Sequence, residues 1–407
     1  MRRDVISNFA YNISMLQIIE EKKIVLHQGV YKPAASVADA VFMITGMTIG
    51  AGVLGIPYVV AQVGLRPGLL YILVFGIVMF ALNLMLGDIA VRTKEKLQIP
   101  GLAGKYLGNW AKQVLNVIII FSSFAVLLAY VVGESEILHS LFGGEKLFWG
   151  IFFWSIGSVV VWRGLGMAKT VEKILSLTVM TIIVGLSFGL LTKFQAQNWF
   201  YLDSSKILLP FGVILFALNG TSGVIEAHAL LPGSQRHFKK ALIIGTLIPM
   251  AIYALFALAV VGTSGLDTTS LATIGLGSKF GSAVLLMGNI FAILAMTTGF
   301  IGAGIALKQT FVWDNKVNKY LAEFFVIFVP LALFLLGLRN FVAILNITGG
   351  VFFGIQALIM IVVCYRARKV GELPAPRYGL NHFWLMAIPV FLVFALVTVL
   401  SAVGLTK

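Results

Sequence analysis

The ten residues Thr48-Ile49-Gly50-Ala51-Gly52-Val53-Leu54-Gly55-Ile56-Pro57 sit in the middle of the first long apolar stretch of the chain. Glycine costs about 1 kcal/mol per helical position relative to alanine and an interior proline about 3 kcal/mol, so roughly 6 kcal/mol stands against continuous helix here. Inside a bilayer the freed backbone groups need other partners, and irregular backbone persists at depth only where it lines a cavity in the protein. The run therefore predicts a broken membrane helix whose break is a binding site.

Composition supplies the membrane that this reading needs. Hydrophobic residues make up 59% of the chain and charged residues 11%, with a mean hydropathy of +0.98; soluble proteins carry about 25% charged residues. The net charge of +14 is spread between apolar runs and is not gathered into a basic domain or stacking platform, which argues against nucleic acid as a partner. The lone cysteine, Cys364, excludes a disulfide framework within the chain and any multi-cysteine metal site. No cleavable leader is expected from Met1 to Lys32, a mixed polar stretch without a compact apolar core.

Apolar windows fall near 37–63, 68–90, 114–138, 147–162, 171–192, 207–230, 241–262, 280–306, 320–338, 341–364 and 382–404, predicting an all-α membrane protein with eleven transmembrane helices. Lysine and arginine alternate across these windows. Connections on one side carry 23 of the 30, and the other side carries only Arg66, Lys146, Lys193, Lys206, Lys279, Arg339 and Lys407. The positive-inside rule then places the N-terminus in the cytoplasm and the C-terminus outside, in a plasma (inner) membrane whose compact loops suggest a prokaryote. On this plan residues 1–36 form a cytoplasmic arm with a candidate helix from Ser7 to Ile24, and 37–192 hold helices 1 to 5. Residues 193–206 form an extracellular linker, 207–366 hold helices 6 to 10, and 367–407 form a cytoplasmic loop and helix 11. Between spans 2 and 3, Pro100, Leu102, Ala103, Tyr106, Leu107 and Trp110 among lysines read as a short amphipathic interfacial helix, or a gate.

A second interruption, Asn219-Gly220-Thr221-Ser222-Gly223, lies at the centre of the sixth span. Helix packing needs small residues at helical spacing, whereas these are consecutive. Interrupted spans at matching positions of two halves mark the inverted repeats of secondary transporters. Spans 1 and 6 would each open a repeat of five, with the eleventh added. A half-helix that begins after a break presents free N–H groups and a positive dipole end, which suits a carboxylate. Ala51, Gly52 and Val53 are the candidate donors, and glycines such as Gly50 and Gly52 let a ligand approach the backbone. A half-helix that ends at a break presents carbonyls, which suit an ammonium group or a cation; Thr48 and the run from Phe216 to Asn219 are so placed. A ligand carrying both charges close together is an α-amino acid.

The segments GAGVLGIPYVVAQVG (Gly50 to Gly64), QIPGLAGKYLGNWAK (Gln98 to Lys112), HFKKALIIGTLIP (His237 to Pro249) and ILNITGGVFFG (Ile344 to Gly354) resemble the amino acid/auxin permease family of the amino acid, polyamine and organocation superfamily. The resemblance is to its prokaryotic aromatic amino acid permease-like branch. It implies a five-plus-five inverted-repeat fold like that of the sodium-coupled leucine transporter. It also implies a substrate pocket on helices 3, 6, 8 and 10, offering Ser122, Ser123, Phe124, Phe216, Asn219, Ser222 and Thr298 beside Gly220 and Thr221 of the break. By the same resemblance a sodium ion would lie between carbonyls of Gly46 and Ile49 and hydroxyls of Thr297 and Thr298. The asparagine that sodium-coupled relatives carry near the Gly46 position is missing, and no lysine lies between Lys173 and Lys193 where some proton-coupled members have one. The coupling ion is thus open between H+ and Na+, and no cofactor or other metal is expected. Glu226 matches a family glutamate, although Ile225 stands where the family has proline. With His228 it is a candidate proton relay or a structural pair near the interface. Asp39, Asp88, Glu134, Glu136 and Glu323 fall at span ends and read as wet structural groups.

These features predict an alternating-access importer of neutral, possibly aromatic, α-amino acids, embedded in lipid and of open oligomeric state. A sensor or an uncoupled exchanger of the same fold is the alternative. A channel would need a continuous lined pore. The five histidines come with no HExxH, no nucleophile paired with a base and no carboxylate cluster, so an enzyme is not expected.

Overall fold

The computed structural model describes residues 24–27, 30–33, 36–95, 97–163, 165–231, 234–375 and 378–404. The candidate helix from Ser7 lies outside them. In the arm, β1 (Ile24–His27) and β2 (Val30–Pro33) form an antiparallel hairpin with Ile24 opposite Pro33, an element that the sequence reading did not anticipate.

The first membrane segment begins at a capping box: the Asp39 N–H donates to Ser36 Oγ at 3.2 Å and the Ser36 N–H donates to Asp39 Oδ2 at 3.0 Å. Helix α1 (Val37–Thr48) then stops where the glycines begin, and α2 (Gly52–Val63) resumes after three residues. The two axes are bent by 54°. A long α3 (Leu65–Arg92) leads to the expected interfacial helix α4 (Ile99–Leu107), and a turn at Gly108, with φ of 91°, starts α5 (Asn109–Phe142) at once. Span 3 therefore begins five residues before its predicted edge at 114. Next come α6 (Lys146–Arg163), α7 (Leu165–Leu191), the interrupted pair α8 (Pro210–Ala217) and α9 (Thr221–Leu230), and α10 (Gln235–Ser264). The chain ends with α11 (Ala272–Phe280), α12 (Ser282–Gln309), α13 (Lys319–Leu335), α14 (Phe341–Ile347), α15 (Phe353–Val370) and α16 (Phe383–Ala402).

Among the described residues seven helical spans are long and apolar enough to cross a membrane, and the bent α1–α2 pair makes an eighth. The windows of spans 4, 5 and 9 hold α6, α7 and α13, which stay outside that set.

The second break is unwound at Leu218, Asn219 and Gly220 without a comparable bend. Span 10 carries an irregularity of its own, a π turn at Thr348–Phe352 between α14 and α15. Gly349 there lies so close to the Gly212 carbonyl of α8 that any side chain would overlap it, and a Cβ on Gly350 would meet the Ser401 side chain of α16.

The two breaks interlock. Gly52 lies against the Ala217 backbone, and Gly220 against the Thr48 hydroxyl, each too closely for a Cβ. Tyr253 of α10, fully buried, places its hydroxyl between them and donates to the Thr48 carbonyl at 2.9 Å and the Ala217 carbonyl at 3.2 Å. One hydroxyl thus caps the open C-terminal ends of both α1 and α8, the carbonyls that a membrane cannot hydrate.

Candidate functional site

A cavity of about 120 Å³ opens where the breaks meet. Thr48, Gly50, Gly52, Phe216, Asn219, Gly220, Thr221 and Ser222 line it from the broken helices, Ser122 and Ser123 from α5, and Thr298 from α12. The sequence-predicted residues of four spans are thereby brought to one space. Phe124, Ala51 and Val53 do not line it.

The backbone explains the last two exceptions and corrects the expected donor set. The Val53 N–H donates to the Gly50 carbonyl at 3.3 Å in a tight first turn, and the Ala51 backbone lies close to the Tyr130 hydroxyl. Gly50 and Gly52, both on the cavity wall, are left to present N–H groups to a ligand. On the carbonyl side, Tyr253 occupies those of Thr48 and Ala217, and the Asn219 N–H donates to the Phe216 carbonyl at 3.2 Å. The Asn219 carbonyl, at the cavity, has no donor among the described residues.

Among the wall residues that sequence reasoning missed, Tyr130, Phe353 and Gln356 shape the cavity most. Tyr130 stands one side-chain width between Gly50 and Gly299, and a Cβ on either glycine would overlap its hydroxyl. Phe353 stacks on Phe216 with ring centroids 5.9 Å apart and planes 13° apart, forming an aromatic platform. Gln356, one helical turn beyond Phe353, is 5% exposed and donates from Nε2 to Thr221 Oγ1 at 3.2 Å. The signal for Tyr130 was its i+7 spacing from Ser123 on one helix face; Phe353 and Gln356 depended on the π turn, which shifts the face that span 10 presents.

Among the described residues no charged side chain lines the cavity. The charges expected nearby lie elsewhere. Glu134, read from sequence as a wet group at a span end, is instead fully buried, because α5 runs eight residues past it to Phe142. Its Oε1 accepts from Thr297 Oγ1 at 3.3 Å, and Oε2 has no partner among the described residues. Thr297 and Thr298, drawn together as cation ligands with Gly46 and Ile49, face different neighbours: the Thr298 hydroxyl donates to its own helix at Leu294 and Ala295, 3.0 and 2.9 Å away. Gly46 and Ile49 are buried at the end of α1, where the Ile49 N–H donates to the Thr45 carbonyl at 2.9 Å. Asp88, also fully buried, is paired with Arg92 and Arg368 at 3.0 and 3.1 Å, and Glu323 with Lys308.

Glu226 and His228 border a second cavity, of about 50 Å³, beneath the first. Glu226 Oε1 accepts from Gln98 Nε2 at 2.9 Å, and His228 packs edge-on against Phe238 with ring centroids 5.0 Å apart. Gln98 precedes α4 and also donates to Gln309 Oε1 at 3.3 Å, while the Gly101 N–H donates to Asp314 Oδ2 at 3.3 Å. Asn116 and Asn315 exchange amide bonds of 2.6 and 3.0 Å. Lys105 of α4 pairs with Glu372 at 2.9 Å, and this pairing, with the Lys94 N–H, holds the Glu372 carboxyl below its ordinary range. The interfacial helix is therefore latched under the main cavity, with Ile99 in its floor.

The model of the tryptophan/tyrosine permease family matches residues 34–401. Glutamine transporter 2 of Aliivibrio fischeri is 24% identical over 81% of this chain and 89% of its own length. Tyrosine-specific transport system 2 of Haemophilus influenzae is 25% identical over 89% and 96%, and the low affinity tryptophan permease of Proteus vulgaris is 22% identical over 68% and 74%. Among solved structures, MhsT in complex with L-phenylalanine superposes with a TM-score of 0.64 over 90% of this chain and 99% of its own, at 16% identity, a likeness of fold.

Proposed function

Because the chain belongs to the tryptophan/tyrosine permease family, we propose that it is a secondary active transporter carrying neutral α-amino acids, aromatic ones among them, across the membrane by alternating access. The observation that carries this reading is the cavity itself. It joins both helix breaks, offers the Gly50 and Gly52 N–H groups to a carboxylate and the Asn219 carbonyl to an ammonium group, and has no charged residue among the described residues of its wall. A zwitterion is then held by backbone dipoles, and a substrate with a charged side chain would find no counter-charge. An enclosed apolar cavity of about 150 Å³ takes a benzene ring, so 120 Å³ beside the Phe216–Phe353 platform suits one aromatic ring or a side chain of similar size. Glutamine, tyrosine and tryptophan, named for three relatives, are all neutral and all end in a hydrogen-bond donor.

Two further features support the transporter architecture, with eleven spans and two inverted halves placed in the amino acid/auxin permease relationship. Helices α1 and α2 pack on α10 as α8 and α9 pack on α3, and α7 packs on α10 as α15 packs on α3. That exchange of partners between halves is what a pseudo-twofold axis in the membrane plane produces. The lysine and arginine asymmetry puts α4 on the cytoplasmic side and the C-terminus outside, so the latch under the cavity is a cytoplasmic gate. Coupling is to a cation gradient, H+ or Na+.

Purified protein in liposomes, loaded with unlabelled and challenged with labelled L-tryptophan, L-tyrosine, L-phenylalanine and L-glutamine under imposed pH or sodium gradients, tests this reading. Saturable, counterflow-competent uptake is expected. Flux linear in concentration would indicate a channel, and binding without counterflow a sensor.

A further inference from the structure

Hydrogen-bond polarity around the second break can be worked out from a donor whose identity is not in question. The Thr221 backbone N–H donates to Asn219 Oδ1 at 3.2 Å, which fixes the Asn219 amide with its oxygen toward α9. The Thr221 hydroxyl, 2.8 Å from the same oxygen, must therefore donate to it. That hydroxyl has spent its proton, so at 3.2 Å from Gln356 it can only accept, and the group facing it is Nε2. The chain Gln356 → Thr221 → Asn219 thus runs in one direction, and it leaves Gln356 Oε1 as an acceptor with no partner among the described residues. Gln356 is 95% removed from solvent and lies on the cavity wall. Phe353, at i−3, shares its helix face and forms the aromatic platform with Phe216.

We infer that Gln356 is a specificity-determining residue: its Oε1 accepts a hydrogen bond from the end of the substrate side chain, selecting amino acids whose side chain ends in an N–H or O–H donor over those of like shape that lack one. The inference rests on the amino acid reading above and sharpens its substrate class to indole, phenol and carboxamide side chains. Three things point the same way. Oε1 is held in place by its own amide's bond to Thr221, so it is pre-oriented for a ligand. The hydroxyls of Thr221 and Thr298 have both spent their protons, on Asn219 and on the helix of Thr298 itself, so neither can donate to Gln356 Oε1 in place of a ligand. And a site built around a fixed buried acceptor penalises a ligand that cannot satisfy it, whereas an apolar pocket discriminates weakly against added polar groups.

The test is equilibrium binding of two matched pairs, L-tyrosine against L-phenylalanine and L-glutamine against L-methionine, to wild type, Gln356→Leu and Gln356→Glu in detergent. Wild type should favour the donor-bearing member of at least one pair by about tenfold or more. In Gln356→Leu the ratio should fall to within about threefold of unity through loss of the donor-bearing ligand, with L-phenylalanine or L-methionine affinity changed less than about threefold; that retained affinity also certifies a folded pocket. Gln356→Glu, which keeps an acceptor at that position but loses the Nε2 bond to Thr221, should give a preference between those of wild type and Gln356→Leu. A ratio unchanged in Gln356→Leu, or equal losses for both members of a pair, overturns the assignment and leaves a structural role for Gln356. Failure of wild type to bind any of the four overturns the amino acid reading and this assignment with it.

Discussion

Tyr253→Phe removes one oxygen and leaves the ring, and the structure says what that oxygen does. It is the shared donor to the Thr48 and Ala217 carbonyls, at 2.9 and 3.2 Å, in a position with no solvent access. A buried acceptor left without its donor costs about 1–3 kcal/mol, and because a single proton was shared between two carbonyls the loss should fall within that range and not at twice it. Spread over the unfolding entropy of 407 residues, this is a lowering of Tm by roughly 1–4 °C. The second effect separates this tyrosine from others. Without the clamp the ends of α1 and α8 are free to separate, and the Gly50, Gly52 and Asn219 backbone groups between them lose their fixed spacing; each 1.4 kcal/mol of lost pre-organisation weakens binding about tenfold. Tyr378→Phe is the control. Tyr378 is equally buried and donates to a helix carbonyl, that of Leu84 at 2.8 Å, but it lies away from the cavity. Both variants should lose similar thermal stability, measured by unfolding in detergent. Only Tyr253→Phe should also lose amino acid affinity, by about threefold to thirtyfold in a titration of the bound ligand. Equal affinities in the two variants would refute the idea that the breaks are held in register by this hydroxyl.

Other expectations follow from the same contacts. Gly50→Ala should abolish or strongly weaken binding, because its Cβ meets the Tyr130 hydroxyl, and adding Tyr130→Phe should recover part of the loss; Gly299→Ala, whose Cβ also meets the ring carbon Cζ, should not be rescued. A double-mutant cycle on ligand affinity distinguishes the two. At the latch, Glu372 has a carboxyl held low by Lys105, so its contribution is present above its unfolded value near pH 4.3 and is lost as pH falls through the lower folded value. Protection of the Ile99–Leu107 amides, taken relative to the intrinsic exchange rate at each pH, should therefore fall on acidification below about pH 4 in wild type, whereas Glu372→Gln should show that lower protection already at pH 7 and little further change. Glu134→Met removes a carboxyl with one oxygen unpartnered, so it should leave thermal stability unchanged or raise it slightly, despite the loss of the Thr297 bond.

How much of this was legible in the sequence follows from where each signal resides. The breaks were legible because glycine and proline act locally, through φ freedom and a missing N–H, and no tertiary contact is needed to foresee their effect. Which backbone groups the breaks would leave open was not. Val53 loses its N–H to a tight turn and Ala51 faces the Tyr130 hydroxyl, outcomes that depend on local turn geometry for Val53 and on a side chain 79 positions away for Ala51. The platform and the acceptor on span 10 were hidden for a different reason. A π turn adds a residue to the helical register, so counting at 3.6 residues per turn from Phe341 puts Phe353 and Gln356 on the wrong face. Glu134 was misplaced because hydropathy marks where apolar sequence ends, and α5 stays helical and packed beyond that point.

The positions of the charges tie these observations into one design. On the transport cycle proposed above, a cavity walled by dipoles and, among the described residues, without a charged side chain would hold a zwitterion in either orientation of the bundle, since backbone groups move with the half-helices to which they belong. Fixed charges would instead tie the substrate to one helix and resist release. The ionisable groups lie outside that wall: Glu134 buried against Thr297, Glu226 joined to Gln98 beneath the floor, and Asp88 between two arginines. Of these three, Glu226 has as its bonding partner the residue that precedes the interfacial helix, so a hydrogen bond connects the lower half of a broken helix to the element under the cavity. Movement of α9 must therefore either break the Gln98 contact or carry α4 with it, and in both cases the floor of the substrate cavity and the second break change together.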